Sequence, residues 1–279
     1  SRLSLPLMLA ALGGLLAERS GIAQLGLEGM LLAGALMATL TTLLTGSSGL
    51  GICAGVCAGL FLAAIQAVFV LHFRAEQIVV GMAMNLLVFG LAPFTTKIFF
   101  DTTGSPPPVD PEKMWSFGFY PIFAFLLVTY LFLYYRSALG LWLRFAGESP
   151  KVLVSQGLSD VKVRWWALLG CGSLAGLGGS TLTLMISSSY SPMMSSGRGF
   201  MALAAVIFGG WRPLPTLAAC LLFAVIDAVQ IRLQGAVNLP IQFIQIPPYL
   251  VTIIALAGFY RRNSAPKGMG QHGHSVTSA

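Results

Sequence analysis

The sequence predicts an all-α fold, a polytopic helical integral membrane protein with about 8–10 crossings, interrupted helices and an inverted internal repeat. Three observations lead there. Of 279 residues, 56% are hydrophobic and only 9% are charged, where a soluble domain carries about 25% charge. The mean hydropathy of +0.81 asks for an apolar solvent. Third, the apolar residues fall into long runs that polar connections separate, and four of these runs reach the ~20 residues that a helix needs to span hydrocarbon.

Those four are Leu50 to Leu71, Ile78 to Phe100, Phe117 to Tyr135 and Trp165 to Ile186. Gly29 to Thr45 and Pro213 to Ile231 come close. Leu3 to Ala17, Phe200 to Phe208 and Tyr249 to Tyr260 are too short to cross alone, and Gly and Pro at their borders point to broken helices. The opening run lacks a basic flank and a cleavage site, so it reads as a truncated span and not as a signal peptide. Orientation follows from Lys and Arg in the short connections. Arg136, Arg144, Lys151, Lys162 and Arg164 lie in one loop, and Arg261, Arg262 and Lys267 lie in the tail, which places both in the cytoplasm. The loop from Asp101 to Ser116, with Pro106, Pro107 and Pro108, faces outside. Threading gives about nine crossings. The expected units are 1–135 and 165–262 as transmembrane halves, 136–164 as a cytoplasmic coupling loop and 263–279 as a flexible tail.

Gly26-Leu27-Glu28-Gly29-Met30-Leu31-Leu32-Ala33 matches Gly197-Arg198-Gly199-Phe200-Met201-Ala202-Leu203-Ala204, and Leu62 to Val68 matches Phe223 to Val229. In the threading the copies run in opposite directions, the plan by which transporters bring helix breaks to the midplane. The competing reading is convergence of sequence rich in Ala, Leu and Gly.

No phosphate-cradling loop exists, no nucleophile is paired with a histidine, and the three histidines lie at a span end and in the tail. No catalysis, cofactor or metal site is expected, and energy for uphill movement must come from elsewhere. The dispersed net charge of +7 argues against nucleic acid as a partner. Cys53, Cys57, Cys171 and Cys220 read as small packing residues. Gly51, Gly55 and Gly59, and later Gly172 and Gly176, line helix faces on which another backbone can close in.

Polar groups inside spans usually face protein or a water-filled path. Glu28, Asn85, Arg198, Asp227 and Gln230 are those groups. Glu28 and Asp227 either touch solute or a gate, or tie two helices together by buried hydrogen bonds. In the cytoplasmic loop, Ser149 can cap a short helix that Pro150 opens and Gly157 ends. Val152, Leu153 and Val154 on such a helix have no lipid to pack on, and docking into a cytosolic partner is its natural use. An amphipathic turn on the headgroups is the other reading.

Together these residues resemble the permease subunits of ATP-binding-cassette importers, in the superfamily that serves branched-chain amino acids and ribose. Gly13-Gly14 followed by Glu18 through Met30 looks like the signature of the subgroup for nucleosides or simple sugars. Gly147 to Leu158 resembles the coupling segment, and Gly197 to Gly209 is similar to the late signature. The family usually has Asn where Gln24 stands here, and its coupling helix is commonly Ala-rich.

The resemblance implies a bacterial plasma (inner) membrane location and a path for nucleosides or simple sugars. It also implies partners: a cytosolic ATPase dimer, a second permease, identical or paralogous, and an extracytoplasmic solute-binding protein. It assigns ATPase coupling to Gly147, Glu148, Ser149, Pro150, Lys151, Val152, Leu153 and Gly157, and marks Gln24, Glu28, Asn85, Arg198, Phe200 and Asp227 as candidates for the solute path. The alternative is an ion-coupled secondary transporter that uses Glu28 or Asp227 as its proton or sodium site.

Overall fold

A computed structural model describes residues 3–110, 114, 119–192, 194–234 and 265–270. The described residues form helices without strands: α1 (Ser4–Arg19), α2 (Leu27–Thr45), α3 (Ser48–Ala67), α4 (Gln77–Phe100), α5 (Phe119–Arg136), α6 (Ala138–Glu148), α7 (Pro150–Ser155), α8 (Asp160–Thr181), α9 (Arg198–Phe208) and α10 (Pro213–Gln234). Single π-helical turns, Val68–His72 and Leu182–Ser187, extend α3 and α8. Among the described residues, five helices are long and apolar enough to cross a membrane, or six if α5 and α6, bent by 64° at Ser137, count as one span. The chain is therefore a polytopic α-helical membrane protein. The threaded count of about nine also includes the run Tyr249 to Tyr260, which lies outside the described residues. At 11 residues, α9 is about 16 Å long, half of a hydrocarbon layer of ~30 Å.

Helices α2, α3 and α8 pack at the centre, with α1 on the other side of α8. Glycine makes this possible. A Cβ on Gly34 would collide with the Gly176 backbone, one on Gly55 with the Gly34 carbonyl and one on Gly59 with the Gly172 carbonyl. Missing side chains let the backbones approach, and dispersion takes the place of the hydrophobic effect that lipid removes. The expected packing role of Gly51, Gly55, Gly59, Gly172 and Gly176 is what these contacts describe. Cys171 and Cys220 are buried, but Cys53 and Cys57 are exposed on the outward face of α3, which corrects their reading as packing residues. The glycines one face away have taken the interior.

The contacts also fix the direction of each helix. His72 stacks edge-on against Trp165, Tyr134 Oη donates to the Trp211 carbonyl and Arg144 donates to the Tyr134 carbonyl. One end of the bundle thus gathers Arg19, Arg74, Arg136, Arg144, Lys151, Arg164 and Arg212. At the other end, the Val109 amide donates to the Ser188 carbonyl, and Ala38, Val109 and Leu184 share a small cluster. The first is the basic end and the second the Pro-rich end. Such asymmetry is the form that the positive-inside rule takes in three dimensions.

Substituting Gly55 by Leu places a side chain where Gly34 and Ser180 already stand, and should lower stability by about 1–3 kcal/mol or prevent folding. Gly90→Leu is the control, because nothing lies within 4 Å of its added Cβ. Thermal unfolding in mild detergent should separate the two variants clearly.

Candidate functional site

Between α1 and α2 the helix unwinds. Residues 22–25 have no regular structure, yet Ile22 and Gln24 are fully buried. Backbone groups in such a place need partners, since hydrocarbon offers none. Side chains supply them. Gln77 Oε1 accepts from the Ala23 amide at 2.7 Å, Asn85 Nδ2 donates to the Leu25 carbonyl at 2.9 Å and Asn85 Oδ1 accepts from the Gly29 amide at 2.8 Å. Gln24 accepts from Gln66 Nε2 at 2.6 Å and donates toward Cys171 Sγ and Met30 Sδ. Cys171 lies six residues, about 9 Å, inside the apolar run that begins at Trp165, so this joint lies within the depth of the hydrocarbon.

At the same depth Glu28, only 3% exposed, faces the start of α9. Its carboxylate accepts from the Gly197 amide at 2.8 Å and the Gly199 amide at 2.6 Å. Gly197 has φ +78°, which glycine adopts freely, and a Cβ on Gly199 would strike the Glu28 backbone. An acidic side chain at a helix N-terminus satisfies unpaired N–H groups and the positive end of the dipole. The two segments that match in sequence therefore meet in space, α2 rising toward the Pro-rich end and α9 descending toward the basic end. Matched positions make related contacts. Gln66 on α3 binds the link before α2, and Asp227, its counterpart on α10, lies 4.0 Å from Arg198 at the start of α9. Both members of that ion pair are 18% exposed.

Below α9, the turn at Trp211 returns to α1. Trp211 Nε1 donates to Glu18 Oε2 at 2.7 Å, and both side chains are buried. Glu18 was not among the expected site residues. It stands at the end of an apolar run and next to Arg19, where an acid is unremarkable, and its partner lies 193 positions away.

The basic end carries α6 and α7 outside the bundle. Ser149 precedes α7 as expected and Pro150 opens it, but the Ser149 hydroxyl makes no cap bond; the Val152 amide reaches the Ser149 carbonyl instead. Gly157, at φ +75°, follows the helix end. Leu153 is buried and Val154 half-buried, as α7 lies against α6 and α8. Of the three apolar residues, Leu153 thus packs on the protein itself, and Val152 is the one left open to a partner. The outward face is Lys151, Val152, Ser155 and Gln156, with Val152 42% exposed. Buried Arg164 donates to the Ala146 carbonyl and pairs with Asp160, anchoring the elbow. Glu148 pairs with Arg19 at 2.9 Å, and Gly147 sits so close to the Arg19 carbonyl that no side chain fits.

The structure therefore brings Gln24, Glu28, Asn85, Arg198 and Asp227 to the junction of α2 and α9, and Gly147 through Leu153 to the basic end. Phe200 stands apart, 47% exposed on the outward face of α9. Gln66 and Gln77 belong to the junction and were missed as single residues, because an uncharged glutamine within or beside a span has no distinctive pattern. Among the described residues, no group of three or more His, Cys, Asp or Glu could hold a metal ion.

No solved structure matches the chain. Among characterised proteins, the guanosine ABC transporter permease protein NupQ of Bacillus subtilis is 32% identical, with 95% of this chain and 92% of the relative covered. The nucleoside ABC transporter permease protein NupC of Lactococcus lactis subsp. cremoris is also 32% identical, over 96% and 92%. Residues 1–258 match the family described as the branched-chain amino acid transport system permease component. This match sets aside an ion-coupled secondary transporter. The chain belongs to that permease family and is a multi-pass plasma (inner) membrane subunit of an ATP-binding-cassette transporter, a class that works with ATPase and substrate-binding partners.

Proposed function

We propose that this chain, with a second permease subunit, forms the path by which an importer admits nucleosides, with simple sugars as the neighbouring solute class. ATP hydrolysis belongs to a cytosolic partner, since the sequence carries no phosphate-cradling loop. One observation carries the mechanism. The projecting α6–α7 elbow is tied through Gly147, Glu148 and Arg19 to the unwound link whose far end is Glu28, the cap of α9. An ATPase that moves α7 acts on the same element that holds the half-helix within the hydrocarbon. Solute and ATP then bias one two-state equilibrium.

The path side of the subunit is inferred from the cost of charge in lipid. The outward face of α4 is apolar, with Met82, Leu86, Phe94 and Ile98 exposed. α9 and α10 also expose apolar side chains, Phe200, Leu221 and Val225 among them, but they carry in addition the partly exposed Arg198–Asp227 pair. Charge facing hydrocarbon is expensive, whereas water or protein accepts it. The second subunit and the solute path therefore belong on the α9–α10 side, and lipid on the α4 side. The nucleoside preference rests on the relatives named for guanosine and nucleosides.

The test is reconstitution with the ATPase, second permease and binding protein in proteoliposomes. Guanosine uptake should need ATP and should survive ionophores that collapse ion gradients. Uptake that follows the gradient with ATP held constant would overturn the proposal.

Two variants probe the parts. Val152→Asp adds charge to an exposed docking face and should cut ATP-driven uptake about tenfold, the equivalent of ~1.4 kcal/mol, with the melting temperature of the permease unchanged. Glu28→Ala leaves two buried amides without an acceptor, so it should cost about 2–4 kcal/mol in thermal stability, judged from hydrogen bonds to charged groups. Glu28→Gln keeps one acceptor oxygen and should fall between.

A further inference from the structure

The described part of the C-terminal tail, Ala265 to Gly270, lies against the basic end of the bundle. It forms a turn closed by the Met269 amide on the Pro266 carbonyl at 3.0 Å. The Gly268 amide donates to the Gly147 carbonyl at 2.7 Å, and the Gly270 amide donates to the Gly21 carbonyl at 3.2 Å. Pro266 and Gly268 are buried, and Met269 packs against the apolar cluster that contains Leu12, Leu15 and Trp211. Glycine is needed at each meeting point. A Cβ on Gly268 would lie 2.8 Å from the Gly147 carbonyl oxygen, and Gly21, at φ +90°, would bring one within 3.0 Å of the Gly268 carbonyl oxygen.

Three segments far apart in sequence thus join backbone to backbone: the end of α1, the base of the elbow and the tail. An open cleft of about 340 Å³ lies between the tail and α7, with Glu148, Pro150 and Val152 on one side and Lys267 and Gly268 on the other. This cleft is continuous with the outward face of α7.

We propose that residues 265–270 are a strap that makes the elbow and the α1–α2 joint move as one body and supplies one wall of the surface on which the cytosolic ATPase docks. The inference rests on the coupling role proposed for α7. Among the described residues, the side-chain tie between elbow and joint, beside the close approach of Gly147 to Arg19, is the Arg19–Glu148 pair, whose Glu148 side chain is half exposed. Water screens such a pair and it yields easily. Backbone bonds closed over by glycines have no rotamer freedom to give, so displacement of the elbow is passed on with little slack.

The experiment compares full complexes in proteoliposomes that carry a deletion of 271–279, a deletion of 265–279, Gly268→Ala, Gly268→Val or Val152→Asp. Solute uptake, ATP hydrolysis and retention of the ATPase on the purified permease are measured on each. Removal of 271–279 should change none of them. Removal of 265–279 and Gly268→Val should lower solute moved per ATP hydrolysed by about tenfold, within the range of ordinary coupling energies, and Gly268→Ala should fall between. Loss of the ATPase from a permease that still runs as a folded species also supports the strap, through its role as a wall. Wild-type uptake per ATP in both the 265–279 deletion and Gly268→Val overturns it. If those two are normal while Val152→Asp is uncoupled, only the strap fails. If Val152→Asp transports normally, the coupling role of α7 fails with it.

Discussion

The carboxylate of Glu28 is the constraint on which the architecture turns. Two helices begin inside the membrane, α2 after an unwound link and α9 after the return from α8, and their N-termini face each other. Each N-terminus brings unpaired amides and a partial positive charge of about half a unit. Placed end to end without an anion, the two would repel and leave donors unsatisfied where no water can reach. One carboxylate in the first turn of α2 answers both problems, since it lies at the positive end of its own helix and accepts two amides of the other. Glutamine would satisfy fewer donors and no charge. A glycine at position 199 is the steric counterpart, because the cap works only if α9 comes into contact with α2.

Rigidity and mobility are divided around that cap. The core of α2, α3 and α8 is locked by backbone contacts at Gly34, Gly55, Gly59, Gly172, Gly176 and Gly179, where even one methyl group has no room, so this part moves as a unit. α9 is held otherwise. Its upper end rests on Glu28, its lower end on the Trp211–Glu18 bond, and its outward side is open at Phe200. Release of a cap at either end frees a half-helix without disturbing the core. A half-helix held only at its two ends is the kind of element whose position ligand and nucleotide could bias.

The spans were legible because apolar length is a property of neighbouring residues. Leu50 to Leu71 and Ile78 to Phe100 correspond closely to α3 with its π turn and to α4. Gly51, Gly55 and Gly59 revealed a packed face because only absent side chains distinguish it when both sides of a helix are apolar. The same ambiguity hid the outward position of Cys53 and Cys57. Glu28, Arg198 and Asp227 were legible as polar groups in apolar surroundings, but whether each bound solute or backbone was not, since their contacts depend on segments 169 or more positions away for Glu28. Glu18, whose partner Trp211 lies 193 positions away, was lost for this reason. In α7, Leu153 turned inward because α6 and α8 give it an apolar bed, which sequence periodicity over six residues cannot reveal.

The link between the basic end and the start of α2 limits how force can travel in the proposed cycle. Residues 20–26 rise from Arg19 to α2, and seven residues reach at most about 25 Å. Gly13, six residues before Arg19, lies against Cys171, so the climb to that level is only about 9 Å, and the link begins in a turn closed by the Gly21 and Ile22 amides on the Glu18 and Ala17 carbonyls. A chain with that much slack passes on displacement only where its neighbours brace it. Its braces are lateral: Gln77 on Ala23, Gln66 on Gln24 and Asn85 on Leu25. All three come from α3 and α4, not from α9. Displacement of Gly21 by the elbow therefore reaches Glu28 through these braces, while sideways motion is resisted by helices that do not need to move. The cap on α9 lies at the end of this braced line, and its geometry depends on where α2 begins. A small axial shift of the link is enough to misalign two short, charge-assisted hydrogen bonds, which weaken steeply with angle and distance.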